Sequence, residues 1–356
     1  MAHTYSTETI AQQLNALEIP GAGFLARALT ALITGRKATL HQIANLLPQS
    51  PNREAARQEI RRFLDQPALT QQRWAQALAR LLPTRAPWVL ALDRTEWKLG
   101  ETPINLLVLA VVCKGCAVPL LWRPLEKQGA SDTGERIALL EQFVRLFGTQ
   151  CLSFVTADRE FIGRDWIDWL LSQKVPFRIR IKAGEWLLAK DGTEKRAGDW
   201  FAPRACPCRK QPMLLWGLLV FVGGKRLHRG RSEYLIVISN QAGSLLEDYR
   251  LRWKIETLFQ AFKGRGFEME ACRLTDPLRW SSFLGFLSLS LCWCLRVGAF
   301  LEHLSPMRLK KHGRLAMSVF RRGLDHLQEL LAPLSGRACE AAFVQVVRQL
   351  RPAEIK

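Results

Sequence analysis

The sequence predicts an α/β protein: a mixed sheet flanked by helices, interrupted by a β-rich insertion and bracketed by helical N- and C-terminal regions. Three observations predict it. Apolar residues recur at three- and four-residue spacing over the first eighty residues. At Pro87 the pattern changes to apolar runs of strand length, the first three joined by short links and the later ones separated by helical stretches. From Ser244 onward the spacing is helical again.

Taken in order, Ile10–Leu17, Ala22–Ile33 and Trp74–Leu82 carry helical periodicity. Between them, Thr39 is placed to cap a short helix that Pro48 stops. Ser50–Asp65 follows, with Arg53, Arg57, Arg61 and Arg62 at helical spacing. A short helix, a turn and an Arg-studded helix outline a helix-turn-helix, and residues 1–84 are read as a helical DNA-binding domain. An ordinary bundle with a solvated basic face has the same pattern.

Trp88–Asp93, Asn105–Cys113 and Ala117–Trp122 read as three strands in an antiparallel meander. A helix over Gly134–Phe147, a strand over Leu152–Thr156, a helix over Phe161–Leu171 and a strand over Pro176–Ile181 imply parallel addition to the sheet. Such an order is expected of an RNase H-like core, read here over residues 85–303. The stretch at about 185–232 departs from it. It holds Cys206, Cys208, Gly223, Gly224 and a β-rich run, Leu214–Val222, together with Arg204, Arg209, Lys210, Lys225, Arg226, Arg229 and Arg231. It reads as a β insertion, followed by a strand over Tyr234–Ser239. Residues 304–356 read as a helical region for DNA contact or dimerisation. They carry Arg308, Lys310, Lys311, His312, Arg314, Arg321 and Arg322, and end in an amphipathic helix, Ala338–Leu350.

Charge narrows the function classes. The 356 residues carry 51 Lys+Arg against 32 Asp+Glu, a surplus of +19, and the pI is about 10.0. A folded chain this basic repels itself unless an anion binds it, and nucleic acid leads over an anionic membrane. With 48% hydrophobic residues the chain can build a core, which excludes wholesale disorder. The opening residues lack a charged segment followed by an apolar run, so no secretory signal is expected. The most apolar stretch, Phe283–Leu295, is shorter than the roughly 20 residues of a membrane span and reads as a buried helix. Nine cysteines, an odd number, point to a reducing cytoplasm. Cys113 with Cys116 and Cys206 with Cys208 lack zinc-ribbon spacing, and reduced structural thiols are the simpler reading.

The sharpest signal lies in Tyr249–Lys263. At about 100° per residue, Tyr249, Arg252, Glu256 and Lys263 fall within roughly 60° of arc, opposite Leu251, Ile255, Leu258 and Phe262. A solvated face with an Arg252–Glu256 helix pair would look the same. The spacing Tyr-x2-Arg-x3-Glu-x6-Lys, however, resembles the signature of DDE transposases of bacterial insertion sequences, in the branch that includes insertion sequences four, ten and fifty. A chance match at a given start is on the order of one in 100,000. The rest of the pattern is similar too: Asp93 ends the first strand, and Asp158 follows a strand in Ala157-Asp158-Arg159-Glu160-Phe161, where Glu160 replaces the usual Gly.

The resemblance implies a catalytic triad of Asp93, Asp158 and Glu256 that holds two Mg2+ ions, for which Mn2+ can substitute. Two such ions activate the attacking oxygen and stabilise the leaving one in phosphodiester cleavage, and hard ions want oxygen ligands. Singly, each carboxylate has another use: Asp93 with Arg94, Asp158 with Arg159, Glu256 with Arg252. Glu96, Asp132, Glu160 and Asp165 compete. The resemblance further implies that Tyr249, Arg252 and Lys263 hold transposon-end phosphates and that Trp253 stacks on a base flipped during hairpin cleavage, with Trp186, Trp200 and Trp216 as further candidates. Its partners would be double-stranded DNA, at transposon ends and target, and a second copy in a synaptic homodimer. Membrane and nucleotide cofactor are not expected, since no phosphate-cradling Gly-rich loop is present. The location would be the bacterial cytoplasm, at the nucleoid.

Overall fold

The computed structural model describes residues 2–99, 102–201, 212–227, 233–274, 276–311, 315–332 and 338–353. Cys206, Cys208, Arg204, Arg209, Lys210, Arg229, Arg231, His312 and Arg314 lie outside the described residues.

Five helices come first: α1 (Ala2–Asn15), α2 (Ala22–Gly35), α3 (Leu40–Leu46), α4 (Arg53–Leu64) and α5 (Gln71–Leu81). The oxygen of Thr39 accepts the Gln42 N–H and so caps α3. Asn52 caps α4 by accepting the Ala55 N–H at 2.8 Å. Each such cap stabilises a helix by about 1 kcal/mol. The short helix and the Arg-bearing helix that follows it are α3 and α4, with Arg53, Arg61 and Arg62 exposed. Arg57 is half-buried, and its Nη2 lies 2.9 Å from His41 Nδ1.

The meander follows as β1 (Trp88–Leu99), β2 (Thr102–Val112) and β3 (Ala117–Leu125). Then come α6 (Thr133–Phe147), β4 (Leu152–Ala157), α7 (Arg164–Ser172) and β5 (Phe177–Ile181). The expected pairings hold: β1 with β2 and β2 with β3 are antiparallel, and β1 with β4 and β4 with β5 are parallel. The stretch read as a β insertion extends the sheet. It supplies β6 (Trp186–Leu188), β7 (Glu194–Arg196), the short α8 (Ala197–Trp200), β8 (Met213–Leu215) and β9 (Leu218–Arg226). With β10 (Tyr234–Ser239), these strands continue the core sheet, in the order β3-β2-β1-β4-β5-β10-β9-β8-β6-β7. The run Leu214–Val222 is not one strand. Trp216 and Gly217 both have positive φ, and this two-residue turn folds the run into the β8–β9 hairpin.

The remaining helices are α9 (Leu245–Arg250), α10 (Trp253–Phe262), α11 (Pro277–Leu304), α12 (Val319–Leu331) and α13 (Ala338–Arg348). The apolar stretch that reads as too short for a membrane is the middle of the 28-residue α11, which by length and composition could span one. In the fold its central residues are buried against α5, α4, α2 and α12. The C-terminal helices return to the N-terminal ones: α13 packs on α1 and α12, and the Ala353 N–H donates to the Arg80 carbonyl. Phe343, Val346, Val347 and Leu350 are consequently buried within the chain. The apolar face of α13 that the sequence offers for dimerisation is spent internally. One contiguous hydrophobic core runs from the helical layer into the sheet, and a small second cluster under α9 comprises Val237, Leu245, Leu246 and Tyr249.

Candidate active site

The site is assembled by strand register. Leu92 on β1 lies opposite Ala157 on the parallel β4, so the next residues, Asp93 and Asp158, stand side by side. Neighbouring strands are about 4.8 Å apart, which brings the two carboxylates within reach of a shared ligand. Ala157 in turn lies opposite Ile179 on β5, which sets Arg180 beside Asp158. Along β1, alternation places Asp93, Thr95 and Trp97 on one face, and α10 covers that face. Trp97 meets the rings of Phe259 and Phe262 of α10 at 6.2 and 6.4 Å between centroids. With Ile255, Leu258 and Phe262 buried on the sheet, Glu256 is carried in the first turn of α10.

Arg252 ties these groups together. Its Nη1 donates to Asp93 Oδ2 at 3.0 Å and its Nη2 to Glu256 Oε1 at 2.5 Å. Asp158 accepts the Tyr249 hydroxyl at 3.1 Å and pairs with Arg180 Nη1 at 3.6 Å. The Asp93 and Asp158 oxygens also each accept the backbone N–H of the following Arg at 2.8 Å. Three of the four competing carboxylates have partners of their own. Glu96 and Glu160 both pair with Arg94, and Asp132 caps α6 in a capping box with Glu135. Asp165 sits in the first turn of α7.

The signature stretch differs from a single helix. It breaks between α9 and α10, where Leu251, Arg252, Lys254 and Ile255 make hydrogen bonds to the residue three before each. In such a tightened turn residues i and i+3 eclipse, so the Arg252 guanidinium lies 5.7 Å from the Tyr249 ring centroid. Tyr249 and Arg252 are therefore not on an outward face; they are 7% and 6% exposed and turned into the carboxylates. Lys263 is not brought to this cluster, and its Nζ lies 3.3 Å from Glu270 Oε1. Trp253 is 62% exposed beside the site. Of the other tryptophans, Trp186 is exposed with the Arg196 guanidinium 5.7 Å from its ring, while Trp200 and Trp216 are half-buried. Sequence reasoning missed Arg180. The signal was there: Phe-Arg-Ile-Arg-Ile puts two Arg on one face of a strand that otherwise reads as a buried one.

Electrostatics follow from burial. Burial pushes the Asp93 carboxyl up to about 6; Arg252 and the Arg94 N–H pull against it, and Glu160 and Asp158 add to it. Burial pulls the Arg252 guanidinium down, but Tyr249 and the surrounding carboxylates outweigh that and raise it. The folded Asp93 thus holds its proton above the unfolded value of 3.8. The stability it contributes is full below about pH 4 and is lost as pH rises through about 6, an effect of about 3 kcal/mol. The unfolding free energy of the wild type relative to Asp93→Asn should accordingly fall by that amount between about pH 4 and pH 7. Urea titrations across that range measure it, and a pH-independent difference would show that Asp93 carries no such penalty.

The donor set suits a hard divalent cation. It is all oxygen, and a cationic guanidinium already reaches Asp93 and Glu256 together. Among the described residues, no three acidic, His or Cys side chains are gathered into a metal centre as they stand, since Arg252 lies between Asp93 and Glu256. The buried thiols of Cys113 and Cys116 form no such centre either.

No curated protein matches the sequence. Among solved structures, the chain is similar to a piggyBac transposase in a synaptic complex with hairpin DNA, at a TM-score of 0.46 and 11% identity, over 91% of this chain and 76% of that one. The family model of the Transposase DDE domain matches residues 84–293, more than half of the chain and the whole span from Asp93 to Glu256. The chain belongs to the transposase DDE-domain family.

Proposed function

We propose that the protein is a cut-and-paste DNA transposase on an RNase H-like core, with Asp93, Asp158 and Glu256 as its catalytic carboxylates. The register that sets Asp93 beside Asp158, with Glu256 linked to Asp93 through Arg252, carries this reading. The three side chains are 65 and 98 positions apart in sequence, and an ordinary structural ion pair does not require all three. They would hold Mg2+, or Mn2+ in its place. Bound there, two such ions supply an activated water or 3′-OH and shield the leaving oxygen.

The chain's own residues do the rest. Asp93 and Asp158 present oxygens from fixed strand ends, so little reorganisation is needed at the reacting phosphate. Arg252 and Arg180 offer guanidinium groups to phosphate oxygens, a match in both charge and geometry. Tyr249 orients Asp158 through its hydroxyl. Lys263, just past the end of α10, and Arg53, Arg57, Arg61 and Arg62 on α4 would hold the duplex at a distance from the scissile bond. Trp253, exposed next to Arg252, offers a ring for an unstacked base, as hairpin formation at the ends would require. Synapsis of two ends calls for a homodimer on DNA, in a bacterial cytoplasm.

A labelled duplex carrying the inverted repeats that flank the gene, incubated with Mg2+ or Mn2+ and a target plasmid, tests the reading. Cleavage at the repeat end followed by joining is the expected result. Binding without cleavage would indicate a DNA-binding protein that has lost catalysis, and cleavage without joining a structure-specific nuclease. The charge of +19 adds a second expectation. If about eight Lys/Arg neutralise phosphates, log Kd against log salt should have a slope of about 7 in magnitude, and fluorescence anisotropy over a salt series measures it.

A further inference from the structure

Arg178 stands two residues before Arg180 on the same face of β5. It is 6% exposed. A guanidinium so deeply placed is tolerated only when its donors are matched. Here Nε donates to Asp248 Oδ2 at 2.9 Å, and Nη1 donates to Ser239 Oγ at 2.6 Å and to the Phe177 carbonyl at 3.0 Å. The guanidinium also lies 5.0 Å from the Phe154 ring centroid. Three of these partners belong to the sheet: Ser239 to β10, Phe177 to β5 and Phe154 to β4. The fourth, Asp248, belongs to α9 and immediately precedes Tyr249.

Apart from this link, a small apolar cluster holds the helix α9. The helix is six residues long, its Ser244 N-cap makes no side-chain hydrogen bond, and its apolar contacts with the sheet come from Leu245, Leu246 and Tyr249. Yet Tyr249 must meet Asp158, and the tightened turn that follows carries Arg252 to Asp93 and Glu256. A short helix displaced by a fraction of a turn would carry both side chains away from the carboxylates.

We propose that Arg178 is a positioning residue: through Asp248 it clamps α9 to three strands of the sheet, and so holds Tyr249 on Asp158 and Arg252 on Asp93 and Glu256. The consequence for DNA cleavage rests on the catalytic reading above, whereas the clamp itself can be read without any reaction.

The chain has three tyrosines, Tyr5, Tyr234 and Tyr249, so 3-fluorotyrosine labelling yields three 19F resonances, and Tyr249→Phe assigns the one that matters. In Arg178→Met and in the milder Asp248→Asn, the Tyr249 resonance is expected to move while those of Tyr5 and Tyr234 hold their positions. End cleavage at saturating DNA should fall by about 10- to 100-fold, with Kd for the same duplex within about threefold. Arg178→Lys, which retains one donor for Asp248, should recover part of both effects. An unmoved Tyr249 resonance in both variants overturns the clamp, as does equal movement of all three resonances, which would mark general loosening. A moved Tyr249 resonance with undiminished cleavage upholds the clamp and overturns instead the catalytic part assigned to Tyr249 and Asp158.

Discussion

Glu256→Gln is expected to lower end cleavage by about 10³-fold or more while leaving the fold intact. The carboxamide has the shape of the carboxylate and keeps an oxygen for the Arg252 Nη2 donor now 2.5 Å away. Arg252 also retains Asp93 at 3.0 Å, so no buried guanidinium is left alone. What disappears is the negative charge, and with it the ability to hold a divalent cation beside Asp93. Asp158→Asn should behave alike, because an amide oxygen can still accept the Tyr249 hydroxyl and the Arg159 N–H. Single-turnover cleavage of the end duplex, alongside thermal unfolding of each variant, measures both halves of the expectation. Cleavage within about tenfold of wild type in a folded Glu256→Gln protein would remove Glu256 from the chemistry and leave it as the helix-surface partner of Arg252.

The second large effect concerns stability, at the seam between α11 and α12. A Cβ built on Gly323 would stand 1.8 Å from the Cys294 carbonyl oxygen and 2.7 Å from the Gly298 nitrogen. One built on Gly298 would stand 2.0 Å from the Val319 carbonyl oxygen. All of these obstacles are backbone atoms, so no rotamer change relieves the clash, and the helices must separate along a buried face. Gly323→Ala is expected to cost about 3 kcal/mol, at the upper end of the usual overpacking range. By the usual per-residue scaling for a chain of this length, Tm should drop by about 4 °C. Gly298→Ala should cost a similar amount, and the double variant less than the sum, since either substitution alone opens the shared seam. Gly23 is the internal control. It is exposed within α2 with nothing within 4 Å of an added Cβ, so Gly23→Ala should raise stability by about 0.5–1 kcal/mol through helix propensity. Circular dichroism melts of the four variants decide the matter. An unchanged Tm for Gly323→Ala would mean that α11 and α12 pack further apart than described.

Much of this architecture was legible in the chain. Pro87 marks the change of period, and β1 to β5 fall where short apolar runs lie. Thr39 caps α3 as its side chain and position suggest. Misreadings have local physical causes. The first strand runs on from Asp93 to Leu99 because its polar residues pair in register with β2, from Asp93 opposite Val108 to Leu99 opposite Thr102. An apolar-run criterion stops at the first charge and cannot see a partner strand. The Leu214–Val222 run hides a hairpin because Trp216, a bulky residue, takes the positive φ that turn rules assign to Gly or Asn. The Tyr249–Lys263 stretch keeps helical spacing throughout, yet it tightens at Leu251 and Arg252, which turns Tyr249 and Arg252 inward from the outer face that a uniform helix assigns them.

What the sequence determined by itself is the kind of parts and the chemistry they can bear: helices and strands in a given order, a basic surplus, and the three carboxylates with the Tyr, Arg and Lys around one of them. These are encoded over a few residues, by periodicity, capping and spacing, and need no distant partner. Tertiary structure alone decided the rest. The register of β1 on β4 sets Asp93 beside Asp158. The register of β4 on β5 brings Arg180, and with it the buried Arg178, to the same face. Joining β9 to β10 makes the insertion an extension of the sheet. Burial, not spacing, set the Arg252 guanidinium between Asp93 and Glu256. Each of these contacts joins residues tens to hundreds of positions apart, and a pairing shifted by one residue would point every side chain to the opposite face. Local pattern cannot choose between such registers; packing of the whole core does.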